Sequence, residues 1–186
     1  VSALYEDSEG YVYAVSEKGI AMLKEDTSSL VSRSSNVVAF AELQGMLYFA
    51  CTDHLLAVDM QTREQKNMDL SAFGVGEVTA MTLTGNNPQQ LFIGFRDNTI
   101  GRLSPETFSL SLRKEKMGRV RYMFPDPENL LWIATEKTGI WSYNTEKDRF
   151  RHYEHSNNVM SYYVDTLANV RHAGDRVWIK MNNWGF

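Results

Sequence analysis

Of 186 residues, one is cysteine, four are proline and four are histidine, and each scarcity removes a class of structure. With Cys51 alone, neither an internal disulfide nor a cysteine pair for zinc can form, and the redox compartment stays open. Four prolines and twelve glycines are too few for a disordered tract in a chain that is 43% hydrophobic. No apolar run approaches the roughly 20 residues that a membrane helix needs. No stretch keeps a 3.6-residue apolar period long enough to make a helix. The formal net charge is −4, so no basic stripe exists to neutralise phosphates, and nucleic acid is excluded as the main partner.

Chemistry-bearing patterns are missing too. There is no glycine-rich phosphate loop and no nucleophile elbow. His152 and His155 stand three apart, which on a strand puts them on opposite faces and makes no metal pair. This segment is therefore expected to hold no catalytic residue, no metal and no cofactor. Asp53, Asp97, Asp126 and Glu128 fall in loops or turns, where acidic residues are ordinary. Arg113, Lys114, Lys116, Arg119 and Arg121 form a basic cluster that reads as a solvated turn. Cys51, beside Tyr48-Phe49-Ala50, reads as a small buried hydrophobe.

What the chain does contain is one phrase said five times. Gly-Tyr-Val-Tyr-Ala-Val at 10–15, Gly-Met-Leu-Tyr-Phe-Ala at 45–50 and Gln-Leu-Phe-Ile-Gly at 90–94 are the first three. Asn-Leu-Leu-Trp-Ile-Ala at 129–134 and Asp-Arg-Val-Trp-Ile-Lys at 175–180 follow. Tyr13, Tyr48, Phe92, Trp132 and Trp178 then fall in register at spacings of 35, 44, 40 and 46 residues. A period of about 41 is that of four-stranded propeller blades. About ten residues beyond each aromatic, an apolar residue (Leu23, Val58, Leu103, Tyr143) closes another extended run, and a turn follows. Asp, Asn, Ser and Pro in those turns cap local backbone groups or pre-set φ. An apolar strand precedes each aromatic one: Val37 to Leu43, Val78 to Leu83, Val120 to Phe124, Val164 to Leu167.

The fold class is thus all-β, a β-propeller of four-stranded blades. Blades are expected at roughly 3–33, 37–70, 77–114 and 119–154, with a partial one at 161–186. The inner strands should be the most apolar, and the outermost, such as Glu64 to Leu70 and Arg149 to Tyr153, should alternate as half-exposed edges do. Each central aromatic should fill the wedge between neighbouring blades. The chain starts inside a strand without an initiator Met and stops inside a blade, so it is expected to be a piece of a longer protein.

The fourth unit, Met123-Phe124-Pro125-Asp126-Pro127-Glu128-Asn129-Leu130-Leu131-Trp132-Ile133-Ala134-Thr135, continues through Gly139-Ile140-Trp141 to Tyr143-Asn144. It resembles the repeat of the two-component regulator propeller family: apolar-acidic-x-x-Gly-x-Leu-Trp-Ile-Gly-Thr, a turn, Gly-Leu, an aromatic, Asp or Asn. Leu4-Tyr5-Glu6-Asp7-Ser8-Glu9-Gly10-Tyr11-Val12-Tyr13 matches its opening, and Arg149-Phe150-Arg151-His152-Tyr153 its closing strand. The second and third units fit less well, since Cys51-Thr52-Asp53-His54 lacks the turn glycine and Phe92 with Gly94-Phe95 replaces Trp-Ile-Gly-Thr. The resemblance implies tandem seven-bladed rings forming the periplasmic sensor of an inner-membrane hybrid histidine kinase of the Bacteroidetes type, working as a homodimer. It implies an oligosaccharide ligand, with kinase and phosphorelay chemistry outside these residues.

Two other classes stand beside that reading: a structural or protein-interaction propeller, and a propeller enzyme such as a lyase or glycosidase. The enzyme would need two carboxylates, or a histidine with an acidic partner, on converging loops. In a propeller the turn between the second and third strands and the connection between blades open on the same face. Here these are Glu17-Lys18, Asp53-His54, Arg96-Asp97-Asn98, Glu136-Lys137-Thr138 and Asn182-Asn183-Trp184, with Asn36, the Arg119 region and Asn157-Asn158. Sugars favour planar polar side chains and an aromatic face, which makes Arg96, Asn158, Asn182, Asn183 and Trp184 the candidate ligand residues.

Overall fold

The structure is a computed structural model that describes residues 2–84, 88–126, 129–136 and 138–153, together with the backbone of strands 167–173 and 176–181. It divides into two compact units, Val1–Gly74 and Val75–Phe186. Among the described residues no helix is long and apolar enough to cross a membrane.

The first unit holds two sheets. Strands β1 (Ala3–Glu6), β2 (Val12–Ser16), β3 (Gly19–Lys24) and β4 (Thr27–Ser32) pair in chain order, as do β5 (Val37–Leu43), β6 (Met46–Cys51), β7 (His54–Asp59) and β8 (Gln65–Asp69). The second unit repeats this twice. Strands β9 (Val78–Leu83), β10 (Leu91–Phe95), β11 (Thr99–Ser104) and β12 (Ser109–Lys114) form one sheet. Another contains β13 (Val120–Pro125), β14 (Leu130–Thr135), β15 (Gly139–Asn144) and β16 (Arg149–Tyr153). Every pairing is antiparallel, so these are four propeller-type blades. A further hairpin joins β17 (Leu167–Ala173) to β18 (Arg176–Met181). Its first strand therefore starts at Leu167, the residue where the sequence pattern would end it.

Tyr13, Tyr48, Phe92 and Trp132 are all buried. In the first unit Tyr13 of the first blade packs on Phe40 and Phe49 of the second, its ring 5.6 Å from that of Phe49. In the second unit Phe92 meets Tyr143 of the next blade edge-on at 5.9 Å. Large rings there fill the gap left by two twisted sheets, as the register required.

Burial follows the expected gradient, the inner strands β6, β10 and β14 being mostly buried and the outermost β8 and β16 mostly exposed or alternating. The most buried strands are three of the second ones, with β10 buried throughout and β6 and β14 nearly so, while β2 alternates buried and half-buried. First strands β5 and β9 are mostly half-buried, and β1 alternates half-buried and exposed. The reason is positional: a first strand is an edge of its sheet, whereas the second has a hydrogen-bonded neighbour on each side.

The acidic residues of the repeat are not ordinary loop residues. Asp126 and Asp7 are 1% and 6% exposed. Trp132 donates its indole N–H to Asp126 Oδ2 at 2.7 Å, and the Tyr13 hydroxyl donates to Asp7 Oδ2 at 3.1 Å. Asp7 Oδ1 also accepts the backbone N–H of Glu9 and Tyr11. One carboxylate thus closes the first turn of the blade and satisfies the polar edge of its central ring, which a buried Tyr or Trp requires. Phe92 has no such edge. In the third blade Thr84 takes the turn, bonding Gln90 through backbone and hydroxyl.

The turns between third and fourth strands carry the second device. Glu25, Arg63, Phe108 and Asp148 each adopt positive φ there. Asp59 and Asn144 open two of these turns by accepting the N–H groups two and three residues on. The left-handed residue then reaches the preceding blade. Arg63 Nη1 donates to the Tyr13 hydroxyl at 3.2 Å, and Asp148 receives Arg113 through Nε at 2.9 Å and Nη2 at 2.6 Å.

Candidate functional site

In the second, third and fourth blades the first strand opens on a valine, and the position directly before it sits at the entry to the blade. In the second unit these are Glu77 before Val78 and Arg119 before Val120. Each carbonyl accepts the N–H of the residue that follows the second strand: Arg96 N to Glu77 O at 2.9 Å, Glu136 N to Arg119 O at 2.8 Å. The two blades therefore present the same backbone bridge with opposite charges, Glu77 with Arg96 and Arg119 with Glu136. The first pair closes on itself, Arg96 Nη1 lying 2.9 Å from a Glu77 carboxylate oxygen. The second does not, because Glu136 is taken by Arg121 at 3.1 Å. Arg119 makes no ion pair among the described residues, and its Nε is buried without a hydrogen bond.

Arg96, Gly118, Arg119, Glu136 and Thr138 line one open cleft of about 360 Å³. Its walls are the turn after β10, the turn after β14 and the connection between β12 and β13, elements that the repeat had placed on one face. Gly118 lets them approach: its φ is +78°, and a Cβ there would lie 2.6 Å from the Glu136 carbonyl oxygen. Thr138 fixes the base. Its hydroxyl donates to the Met117 carbonyl and accepts the indole N–H of Trp141 at 3.1 Å. His152 stacks on Trp141 with ring centroids 4.2 Å apart and sets Nε2 2.6 Å from the Thr138 carbonyl, so that nitrogen carries a proton.

Of the five sequence candidates, Arg96 lies in this cleft. Asn158, Asn182, Asn183 and Trp184 lie outside the described residues. The basic cluster separates into members with different fates. Arg113 is held by Asp148, Lys114 lies 3.4 Å from Asp97, Arg121 is held by Glu136, and Arg119 faces the cleft. Net charge along the sequence cannot make that distinction. The position before the valine that opens β9 and β13 does carry a signal, with Glu77 at one and Arg119 at the other.

The first unit has its own polar arrangement on the equivalent loops. His54, at the turn after β6, sets Nδ1 2.7 Å from Asp53 Oδ1 and Nε2 2.9 Å from the Ser34 hydroxyl of the connection before β5. Because a carboxylate only accepts, Nδ1 carries the proton. Ser32 donates its hydroxyl to Ser34 at 3.0 Å. A histidine with an acidic partner on converging loops is thus present, though Asp53 is 78% exposed and its bond to His54 competes with water.

A smaller cavity of about 120 Å³ lies elsewhere in the second unit, between Arg102, Arg113, Tyr143, Glu146 and Asp148. There burial pushes the Tyr143 phenol up to about 12, helped by its bond to Asp148, while Arg113 and Tyr143 hold the Asp148 carboxyl down at about 2.

No protein-family model and no curated protein sequence matches the chain. Solved structures do. One is the extracellular domain of a protein described as a hybrid two-component system of B. thetaiotaomicron, 16% identical over 96% of this chain and 25% of that one, with a TM-score of 0.68. A second such extracellular domain from the same organism is 16% identical, covers 96% and 25% of the two chains, and has a TM-score of 0.65. The WD40 repeats of RRP9 are 9% identical over 81% of this chain and 49% of that one, with a TM-score of 0.62. The chain spans about a quarter of the length of the two extracellular domains. At these identities the shared property is the fold, a β-propeller built from four-stranded blades.

Proposed function

We propose that the chain is part of the ligand-sensing propeller of a periplasmic hybrid two-component sensor, recognising an oligosaccharide fragment and signalling to a histidine kinase outside this segment. The observation that carries the reading is the cleft between the third and fourth blades. It is assembled from two turns and a connection, while the strands beneath it are committed to packing. Likeness of fold to extracellular domains of two-component systems supports the same reading. In it, the chain is a partial propeller with blades at 3–33, 37–70, 77–114, 119–154 and 161–186, belonging to a ring of seven. The parent is a homodimer anchored in the inner membrane, and Arg96, Asn158, Asn182, Asn183 and Trp184 contribute ligand contacts. Calorimetric titration of the complete sensor against a panel of glycan fragments tests it, with Arg96→Ala and Trp184→Ala alongside. A ligand that binds the parent and both variants equally retires these residues. A panel in which nothing binds retires the saccharide.

A second reading rests on one specific arrangement, Ser34–His54–Asp53. In it the imidazole takes the Ser34 proton and Asp53 holds the ring, the geometry of an activated serine. Labelling by a fluorophosphonate probe, lost in Ser34→Ala and in His54→Ala, supports a hydrolase. An unlabelled protein leaves His54 as a tie between the turn and the connection.

A further inference from the structure

A guanidinium is costly to hold near protein without a partner, since its five N–H donors and its charge both need compensation. The charges lining the cleft are Arg96, Arg119 and Glu136, with Glu77 bonded to Arg96, Arg121 bonded to Glu136, and Asp97, beside Arg96, bonded to Lys114. Two of the three arginines have carboxylate partners at 2.9 and 3.1 Å, and Arg119 has none among the described residues. Its Nε, like that of Arg121, is shielded from water and unbonded, so part of the donor fork is dry before any ligand arrives. The backbone bridge from Glu136 N to Arg119 O and the close approach at Gly118 fix where that fork starts. Arg96 shares the cleft, with its side chain half exposed and its charge only partly offset by Glu77.

We propose that this cleft is an oxyanion site, in which Arg119 is the main contact and Arg96 the second, and that the ligand of this face therefore carries a carboxylate or sulfate group. The proposal rests on reading the face as the ligand face, but it stands whether or not the rest of the ligand is a saccharide. A planar carboxylate can take two parallel N–H bonds from one guanidinium, whereas a neutral hydroxyl leaves the charge uncompensated. A site built to bond an anion discriminates strongly against the neutral analogue, because its buried donors are then left unpaired. Glu136 limits the site to one anionic group by repelling a second, and its bond to Arg121 keeps it from closing on Arg119.

The test uses the full-length protein. Glucuronate, galacturonate, mannuronate, a sulfated galactose and inorganic sulfate are titrated by calorimetry, with glucose, galactose and mannose as neutral counterparts. Arg119→Gln is expected to weaken binding of the anions about tenfold or more, the loss that follows one charge-assisted hydrogen bond. Arg119→Lys, which keeps the charge and loses the fork, should fall between. Arg113→Gln removes the same charge outside the cleft and should change affinity less than about twofold. The preferred arm, uronate or sulfate, identifies the source of the oxyanion. If Arg119→Gln unfolds, Arg119→Lys and the salt dependence of the parent carry the decision. Binding that survives Arg119→Gln and Arg119→Lys overturns the proposal, as does equal loss in Arg113→Gln or no anion binding at all. Neutral sugars that bind as well as their uronates also overturn it, and they leave the saccharide-sensing reading intact.

Discussion

Replacing Trp132 by phenylalanine isolates one bond that the repeat encodes. Phenylalanine keeps a ring at the centre of the blade and keeps most of its contact with Tyr153, whose ring lies 5.1 Å away. It removes the indole N–H that reaches Asp126 at 2.7 Å, with both side chains almost fully buried. Hydrogen bonds to charged groups contribute about 1.5–3 kcal/mol, so Trp132→Phe should cost about 2–4 kcal/mol once the smaller ring is included. Trp132→Ala adds a cavity and should cost about 3–5 kcal/mol or more. In the first unit, Tyr13→Phe removes only a hydroxyl and should cost about 1–2 kcal/mol. Urea denaturation of the three variants at constant slope gives the numbers. A double-mutant cycle of Trp132→Phe with Asp126→Asn then separates the bond from the ring. Costs that add within about 0.3–0.5 kcal/mol would refute a coupled ring and carboxylate, and Trp132→Phe as stable as the parent would do the same.

Other outcomes follow from the same contacts. Asp148 is held at about 2, below its unfolded value near 3.9, so its stabilising effect is present above that value and fades as pH falls toward 2. Asp148→Asn should flatten that part of the acid unfolding curve. Tyr13 and Tyr143 are raised to about 12, chiefly by burial, so their contribution is intact below pH 10 and disappears between pH 10 and 12. Alkaline unfolding followed by circular dichroism should shift upward in Tyr143→Phe if the variant is otherwise stable. Burial lifts the Cys51 thiol to about 11, so iodoacetamide should leave it unmodified at pH 8 until the protein is denatured. Gly118→Ala should destabilise by about 1–3 kcal/mol through positive φ and the clash with Glu136. Gly139→Ala, with equal φ and open space for a Cβ, should cost less by the same denaturation assay.

The blades were legible because burial imposes a period that the eye can align: four rings, four closing apolar residues, four turns. The fourth unit and the opening of the first were clearest, since in each the acidic residue and the central aromatic are tied by a direct bond. The second and third units read poorly because the bonds themselves differ. A Gln44-Gly45 turn with positive φ at both residues replaces the acidic turn, and Phe92 has no polar edge to satisfy. What the sequence concealed was the fate of charges. Arg113, Arg119 and Arg121 lie within nine positions, yet one clamps a neighbouring blade, one faces a cleft and one holds a glutamate. Such differences depend on which loop lies opposite, a non-local property that composition does not carry. Asp126 was hidden for the opposite reason, its bond being local but its burial set by the fold.

The left-handed turn residues have a consequence for how such a chain can evolve. Arg63 and Asp148 each reach back to the blade before them, and the bond they make there is chemically different: a guanidinium to a phenol in one, a carboxylate to a guanidinium in the other. The second and fourth blades therefore each carry a key cut for the predecessor. Duplicating or transposing a single blade would bring Asp148 against a blade without Arg113, or Arg63 against one without a phenol. Genetic exchange between repeats is then tolerated best when adjacent blades travel together, which makes the pair, rather than the single blade, the unit of inheritance.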